Sequence, residues 1–131
     1  MEGKSAMNMV NEAKQRIENL TPAQVAEEME GGDAVLIDLR ESEERAAQGA
    51  IPGAVHAPRG MLEFYADPTL PYHRPEFDPA RRVILHCAGG GRSALAADTL
   101  RQMGYAKAAH MDGGFKKWRE EGRPVEPVKT S

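Results

Sequence analysis

The chain has 131 residues, with 17 Lys and Arg against 20 Asp and Glu, a formal net charge of −3, 40% hydrophobic residues and one cysteine. That length suits one domain around a single core, the charge leaves no general basic footprint for nucleic acid or an acidic membrane, and a lone cysteine excludes an internal disulfide. The N-terminal stretch holds no apolar run resembling a signal or spanning segment, so the chain reads as cytoplasmic with its thiol kept reduced.

Residues 1–19 read as an N-terminal extension of weak helical pattern (Met9, Val10, Ala13, Ile17, continuing to Leu20), which either packs on the domain or joins two copies. TPAQVAEEM at 21–29 predicts a helix with Thr21 as N-cap and Pro22 at the first helical position, ended by Gly31 and Gly32. AVLIDLR at 34–40 is short, apolar and without a 3.6 period, the pattern of a strand buried on both faces. A helix around 42–48, a weaker strand AVHA at 54–57 and a helix around 60–66 follow. ADPTLPYHRPEFDPA at 66–80 carries four prolines and predicts a long surface loop. RRVILHC at 81–87 is a second buried strand, followed by the helical SALAADTLRQM, which starts near Arg92 or Ser93 and stops at Gly104. AKAAHM at 106–111 is a weaker strand, a helix follows around 114–121, and the segment after Gly122 reads as a loose tail. The alternation predicts a three-layer α/β fold, a central, mostly parallel sheet of about five strands flanked by helices.

In such a sheet the strand ends that carry ligand loops lie along one edge. Here they are Asp38 to Arg40, Ala57 to Arg59, Cys87 onward and Asp112 to Gly114. HCAGGGRS at 86–93 places the one cysteine at the mouth of a glycine tract. Gly89, Gly90 and Gly91 allow positive φ and let several N–H groups turn inward, and the helix that follows adds the positive end of its dipole. Cys87 at the focus of that field reads as a nucleophilic thiolate, with Ala88 to Ser93 as an anion cradle and Arg92 able to return toward an anionic substrate. The bland alternative is a buried structural cysteine beside a capping turn. Gly89-x-Gly91-x-x-Ala94 also fits a dinucleotide fingerprint, but the chain after Asp112 is too short to complete such a domain. Asp38 and Arg40 are candidate substrate contacts, although pairing of Arg40 with Glu43 or Glu44 is the more expected role. Arg59 could bind a sulfonate. Phe115 and Trp118 read as core. His56, His73, His86 and His110 lack ligand spacing, so no metal and no cofactor is expected.

The residues resemble those of a single-domain rhodanese-like protein. VLIDLRESEE at 35–44, GAIPGAVHAPRG at 49–60, HCAGGGRSALAADTLRQMGY at 86–105 and GGFKKWREEGRPV at 113–125 match that family's blocks in order and spacing. Ala50 stands where histidine is usual. The resemblance implies a domain over 20–128, with 129–131 as a tail, and Cys87 as a sulfur-carrying nucleophile.

The same resemblance implies double displacement through a Cys87 persulfide. An anionic donor such as thiosulfate, or a protein or small-molecule persulfide, would give up its sulfur to a thiol- or cyanide-like acceptor. The spacing Cys-x4-Arg resembles sulfurtransferases, whereas the related phosphatases carry Cys-x5-Arg. A cysteine-dependent phosphatase and a noncatalytic binding module stand as the alternative functions.

Overall fold

In the computed structural model, which describes residues 3–128, the chain forms a five-stranded parallel sheet with helices on both faces. The elements in chain order are α1 (Ala6–Arg16), β1 (Glu18–Leu20), α2 (Pro22–Gly31), β2 (Ala34–Asp38), α3 (Ser42–Gln48), β3 (Val55–His56), a 3₁₀ turn (Arg59–Met61) leading into α4 (Leu62–Tyr65), β4 (Arg82–His86), α5 (Gly91–Gln102), β5 (Ala109–Met111) and α6 (Gly114–Glu120). The strand order is β1-β5-β4-β2-β3. The last three residues, read above as a tail, lie outside the described range.

The long apolar runs become the two central strands because four of the five side chains on each are buried. Val35 and Ile37 of β2 and Val83 and Leu85 of β4 face one layer with Leu62, Phe77, Ala96, Ala97, Leu100 and Tyr105. Leu36 and Ile84 face the other, with Val25, Met111, Phe115 and Trp118. This period-two division sends Cys87, one residue beyond β4, to the α5 side, and His86 to the α6 side. Each fully buried Leu or Ile contributes about 1.5–3 kcal/mol relative to exposure, so the two layers jointly fix the register of β4 and with it the position of Cys87.

Local chemistry sets the ends. Thr21 and Gln24 form a reciprocal capping box at α2, and Gly32, at φ 82°, closes it. The proline loop departs from a purely surface path: Phe77 is fully buried, and Tyr105 places its hydroxyl between the carbonyls of Ala66 (2.7 Å) and Phe77 (3.1 Å). Two expectations fail. Residues 18–20 leave the helical pattern and pair in parallel with β5 as an edge strand, across the expected boundary at residue 19. The segment after Gly122 is not loose over its described part: Glu126 exchanges two backbone hydrogen bonds with Ala50 (2.8 and 2.9 Å), and Trp118 Nε1 donates to the Pro124 carbonyl at 2.8 Å.

Candidate active site

Cys87 sits where β4 ends, and α5 starts four residues later at Gly91. Gly90 takes φ 104°, which only glycine adopts without strain, and this turns its amide back toward the sulfur. Cys87 Sγ accepts hydrogen bonds from the amides of Gly90 (3.2 Å) and Ser93 (3.4 Å), and lies 3.5 Å from Ser93 Oγ. The side chain is buried, so charge on it is met by oriented amides rather than bulk water. Of the predicted cradle, Gly90 and Ser93 aim at Sγ, Ala88 and Gly89 line the rim of a cleft, and Gly91 opens α5.

The loop rests on α6. Phe115 N–H donates to the Cys87 carbonyl at 2.8 Å and Lys116 N–H to the Ala88 carbonyl at 3.0 Å. This approach requires Gly114, whose φ is 63° and where a Cβ would lie 2.5 Å from the Ala88 oxygen. The cleft outside Ala88 and Gly89 has a volume of about 320 Å³, and Gln48, Lys116 and Arg119 complete its lining. Lys116 and Arg119 lie at variable positions of the block at 113–125 and were not singled out in the sequence; they are brought to the loop by the turn at Gly113 and Gly114.

The predicted arginines have separate fates. Arg92 stands beside the sulfur and pairs with Glu44 through two hydrogen bonds of 2.8 Å. The Arg92 guanidinium, together with the Glu41 amide, outweighs partial burial and holds the Glu44 carboxyl at about 2. The expected pairing of Arg40 with Glu43 or Glu44 does not form. Arg40 is fully buried, chelates Asp38 through Nε (3.1 Å) and Nη2 (2.9 Å), donates to the Gly49 carbonyl (2.8 Å), and lies 4.0 Å over the Phe115 ring. The reason is geometric: the chain bends at the end of β2, so the Asp38 carboxylate also accepts the Arg40 backbone amide at 3.0 Å. Burial opposes ionisation of Asp38, but Arg40 and the surrounding charges prevail and bring its carboxyl down to about 2.

Asp38 and Arg40 thus form a buried layer beneath the loop, away from solvent-borne substrate. Arg59 points elsewhere, pairing with Glu63 at 3.0 Å and lining a cleft with Arg16, Leu95 and Asp98. His86 is enclosed; burial favours its uncharged form, and its ring stacks on Phe115 at 6.4 Å.

Two residues outside the predicted set complete the surroundings. Ser93 Oγ is 2.9 Å from His110 Nδ1, and His110 Nε2 is 2.9 Å from Asn19 Oδ1. Among the described residues, no group of three or more His, Cys, Asp or Glu is placed to hold a metal ion, and no helix is long and apolar enough to cross a membrane.

The family model of the rhodanese-like domain matches residues 21–121. A sulfurtransferase of Allochromatium vinosum is 32% identical over 93 residues, covering 71% of this chain and 78% of that protein. A Rhodopseudomonas palustris structure, described as a protein of unknown function and possible tyrosine phosphatase, superposes with a TM-score of 0.90 at 41% identity, covering 96% of this chain and 97% of the other. The polysulfide-sulfur transferase homodimer of Wolinella succinogenes gives a TM-score of 0.74 at 32% identity, covering 93% and 87%.

Proposed function

This chain belongs to the rhodanese-like domain family, and we propose that it is a sulfurtransferase that carries a sulfane sulfur on Cys87. The observation that carries the reading is the pair of amides, Gly90 and Ser93, that converge on a buried sulfur at a strand end. In the proposed cycle the Cys87 thiolate attacks the outer sulfur of the donor. The donor's S–S bond breaks, and its electron pair leaves with sulfite or with the donor thiolate. The terminal sulfur of the resulting persulfide carries the negative charge, which the loop amides from Ala88 to Ser93 and the start of α5 offset. A thiol or cyanide-like acceptor then attacks that sulfur and releases Cys87 as thiolate. Cys87 is the one cysteine of the chain, so the acceptor comes from outside. A thiol that must stay reduced between cycles fits a cytoplasmic site of action.

Thiosulfate serves in this reading as a weak donor and a persulfide as the working one. Positions 88–91 carry no cation, and Arg92 is already engaged by Glu44. Mass spectrometry after incubation with thiosulfate tests the proposal: one sulfur is gained on wild-type protein, and none on Cys87→Ser. A wild type that gains no sulfur from thiosulfate or from a low-molecular-weight persulfide returns the chain to the binding-module reading.

The Rhodopseudomonas neighbour makes phosphate-ester hydrolysis the competing activity. Cys-x4-Arg is one residue shorter than the phosphatase spacing, which leaves too few inward amides for a tetrahedral phosphate. Negligible hydrolysis of p-nitrophenyl phosphate is expected; robust hydrolysis that disappears in Cys87→Ser would overturn the choice.

A further inference from the structure

From the cysteine loop to the edge of the sheet runs a chain of hydrogen bonds whose donors all point the same way. Asn19 spends its amide nitrogen on the carbonyls of Lys14 (2.9 Å) and Ile17 (3.2 Å), which leaves Oδ1 as an acceptor facing His110 Nε2. Nε2 therefore carries the ring hydrogen and Nδ1 is bare. The Ser93 hydroxyl has one hydrogen and three acceptors in reach, His110 Nδ1 at 2.9 Å, the Gly90 carbonyl at 3.3 Å and the Cys87 sulfur at 3.5 Å, and the shortest bond, to His110, takes it. What Ser93 presents to Cys87 Sγ, 3.5 Å away, is a lone pair. His110 is fully buried, which makes this arrangement persistent. The charged groups around it are Asp112, 3.9 Å from Nε2, Lys14, which pairs with Asp112 at 2.7 Å, and the Cys87 sulfur across Ser93. Burial prevails over the attraction of Asp112 and takes the ring down to about 4, so the imidazole is uncharged at neutral pH.

We propose that His110, oriented by Asn19, is a positioning residue that holds the Ser93 hydroxyl hydrogen away from Cys87, leaving charge on the sulfur to the backbone amides of Gly90 and Ser93 and to the Arg92 guanidinium beside it. The inference rests on the reading of Cys87 as the sulfur carrier. A hydroxyl that donates to a thiolate stabilises it and blunts its attack; a hydroxyl that turns its lone pair to the sulfur accepts the thiol hydrogen instead and gives the thiolate no support. The sequence separates these residues by 17 positions (Ser93 to His110) and 91 positions (Asn19 to His110), and the parallel pairing of β1 with β5 closes the gap.

The test is the pH dependence of Cys87 alkylation by iodoacetamide in the full chain. His110→Leu leaves the hydroxyl hydrogen to the Gly90 carbonyl and the Cys87 thiolate, of which the charged sulfur is the stronger acceptor: the alkylation midpoint moves down by about one pH unit, and the plateau rate falls severalfold. His110→Asn keeps an acceptor near the place of Nδ1 and retains the wild-type midpoint. In a Ser93→Ala background, His110→Leu has no further effect. Should His110→Leu fail to fold, Asn19→Leu at the exposed sheet edge carries the test: it lets the ring hydrogen move to Nδ1 and shifts the midpoint in the same direction. An unchanged or raised midpoint in the folded variants, or a shift that persists without Ser93, overturns the proposal. Sulfur loading is read on the same samples. Midpoints that shift as expected in protein that gains no sulfur would remove the sulfur-carrier reading while leaving the hydrogen-bond chain in place.

Discussion

Arg92 and Glu44 face each other through two hydrogen bonds of 2.8 Å at the mouth of the cysteine loop, so the loop's one cation is neutralised before any substrate arrives. An anionic donor must compete with Glu44 for that guanidinium. In Glu44→Gln the competition weakens, and the KM for thiosulfate is expected to fall by about three- to tenfold, the scale of one charge-assisted contact at a partly exposed site. Steady-state kinetics decide it; a KM that stays the same or rises assigns the pair to holding the loop in shape.

The cleft outside Ala88 and Gly89 supplies cations from α6 rather than from the β3 strand end. Lys116→Ala and Arg119→Ala should each raise the KM for thiosulfate about threefold or more while sparing kcat, because both act on binding an anion and not on the reacting sulfur. Arg59→Ala should leave KM unchanged, since Arg59 is committed to Glu63. The reverse pattern, with Arg59 sensitive and the α6 cations silent, would place the donor in the other cleft.

Gly114→Ala tests the seat of the loop. A methyl group there meets the Ala88 carbonyl oxygen at 2.5 Å and the Cys87 oxygen at 2.8 Å, and it also strains a backbone held at φ 63°. Loss of the α6 seat should reduce sulfur transfer by more than tenfold and destabilise the fold by about 1–3 kcal/mol. Activity and thermal unfolding of the variant check both; full activity would show that the loop keeps its form without α6.

Asp38 makes stability depend on acid pH. Its folded carboxyl lies at about 2, below the usual 3.8. The contribution is therefore fully present above the unfolded value and is lost as pH falls toward 2, and a depression of this size corresponds to about 2–3 kcal/mol. Asp38→Asn removes that contribution and leaves Arg40 buried without its partner, so urea unfolding should show a large deficit at pH 7 that narrows by pH 3. A deficit that does not vary with pH would mean that packing, not charge, is what Asp38 supplies.

The central strands were legible in the sequence because burial on both faces leaves an unbroken apolar run, as in Val35–Leu36–Ile37 and Val83–Ile84–Leu85. β1 was not, because an edge strand of three residues that buries only Leu20 carries no periodic signal. The cysteine loop was legible because its glycines and its cysteine are contiguous. Partners supplied by distant segments were hidden: nothing near Cys87 announces His110 or Asn19, and the nearness of Arg40 to Glu43 and Glu44 along the chain pointed away from Asp38. The proline loop shows the opposite limit, since its composition announced a surface path while Phe77 and Tyr105 tie it to the core.

The pairing of β1 with β5 also fixes an order of events. β1 holds residues 18–20 and its partner holds 109–111, so the first strand to be synthesised waits for the last before it can join the sheet. Asn19 stands opposite His110 in that register. A nascent chain can thus complete β2, β4 and the glycine turn while the Asn19–His110–Ser93 contact is still missing, and that contact arrives only when nearly the whole domain has been made. The sulfur meets its final surroundings at the end of folding rather than in the middle, so on the proposed reading full reactivity of the thiol belongs to the folded domain.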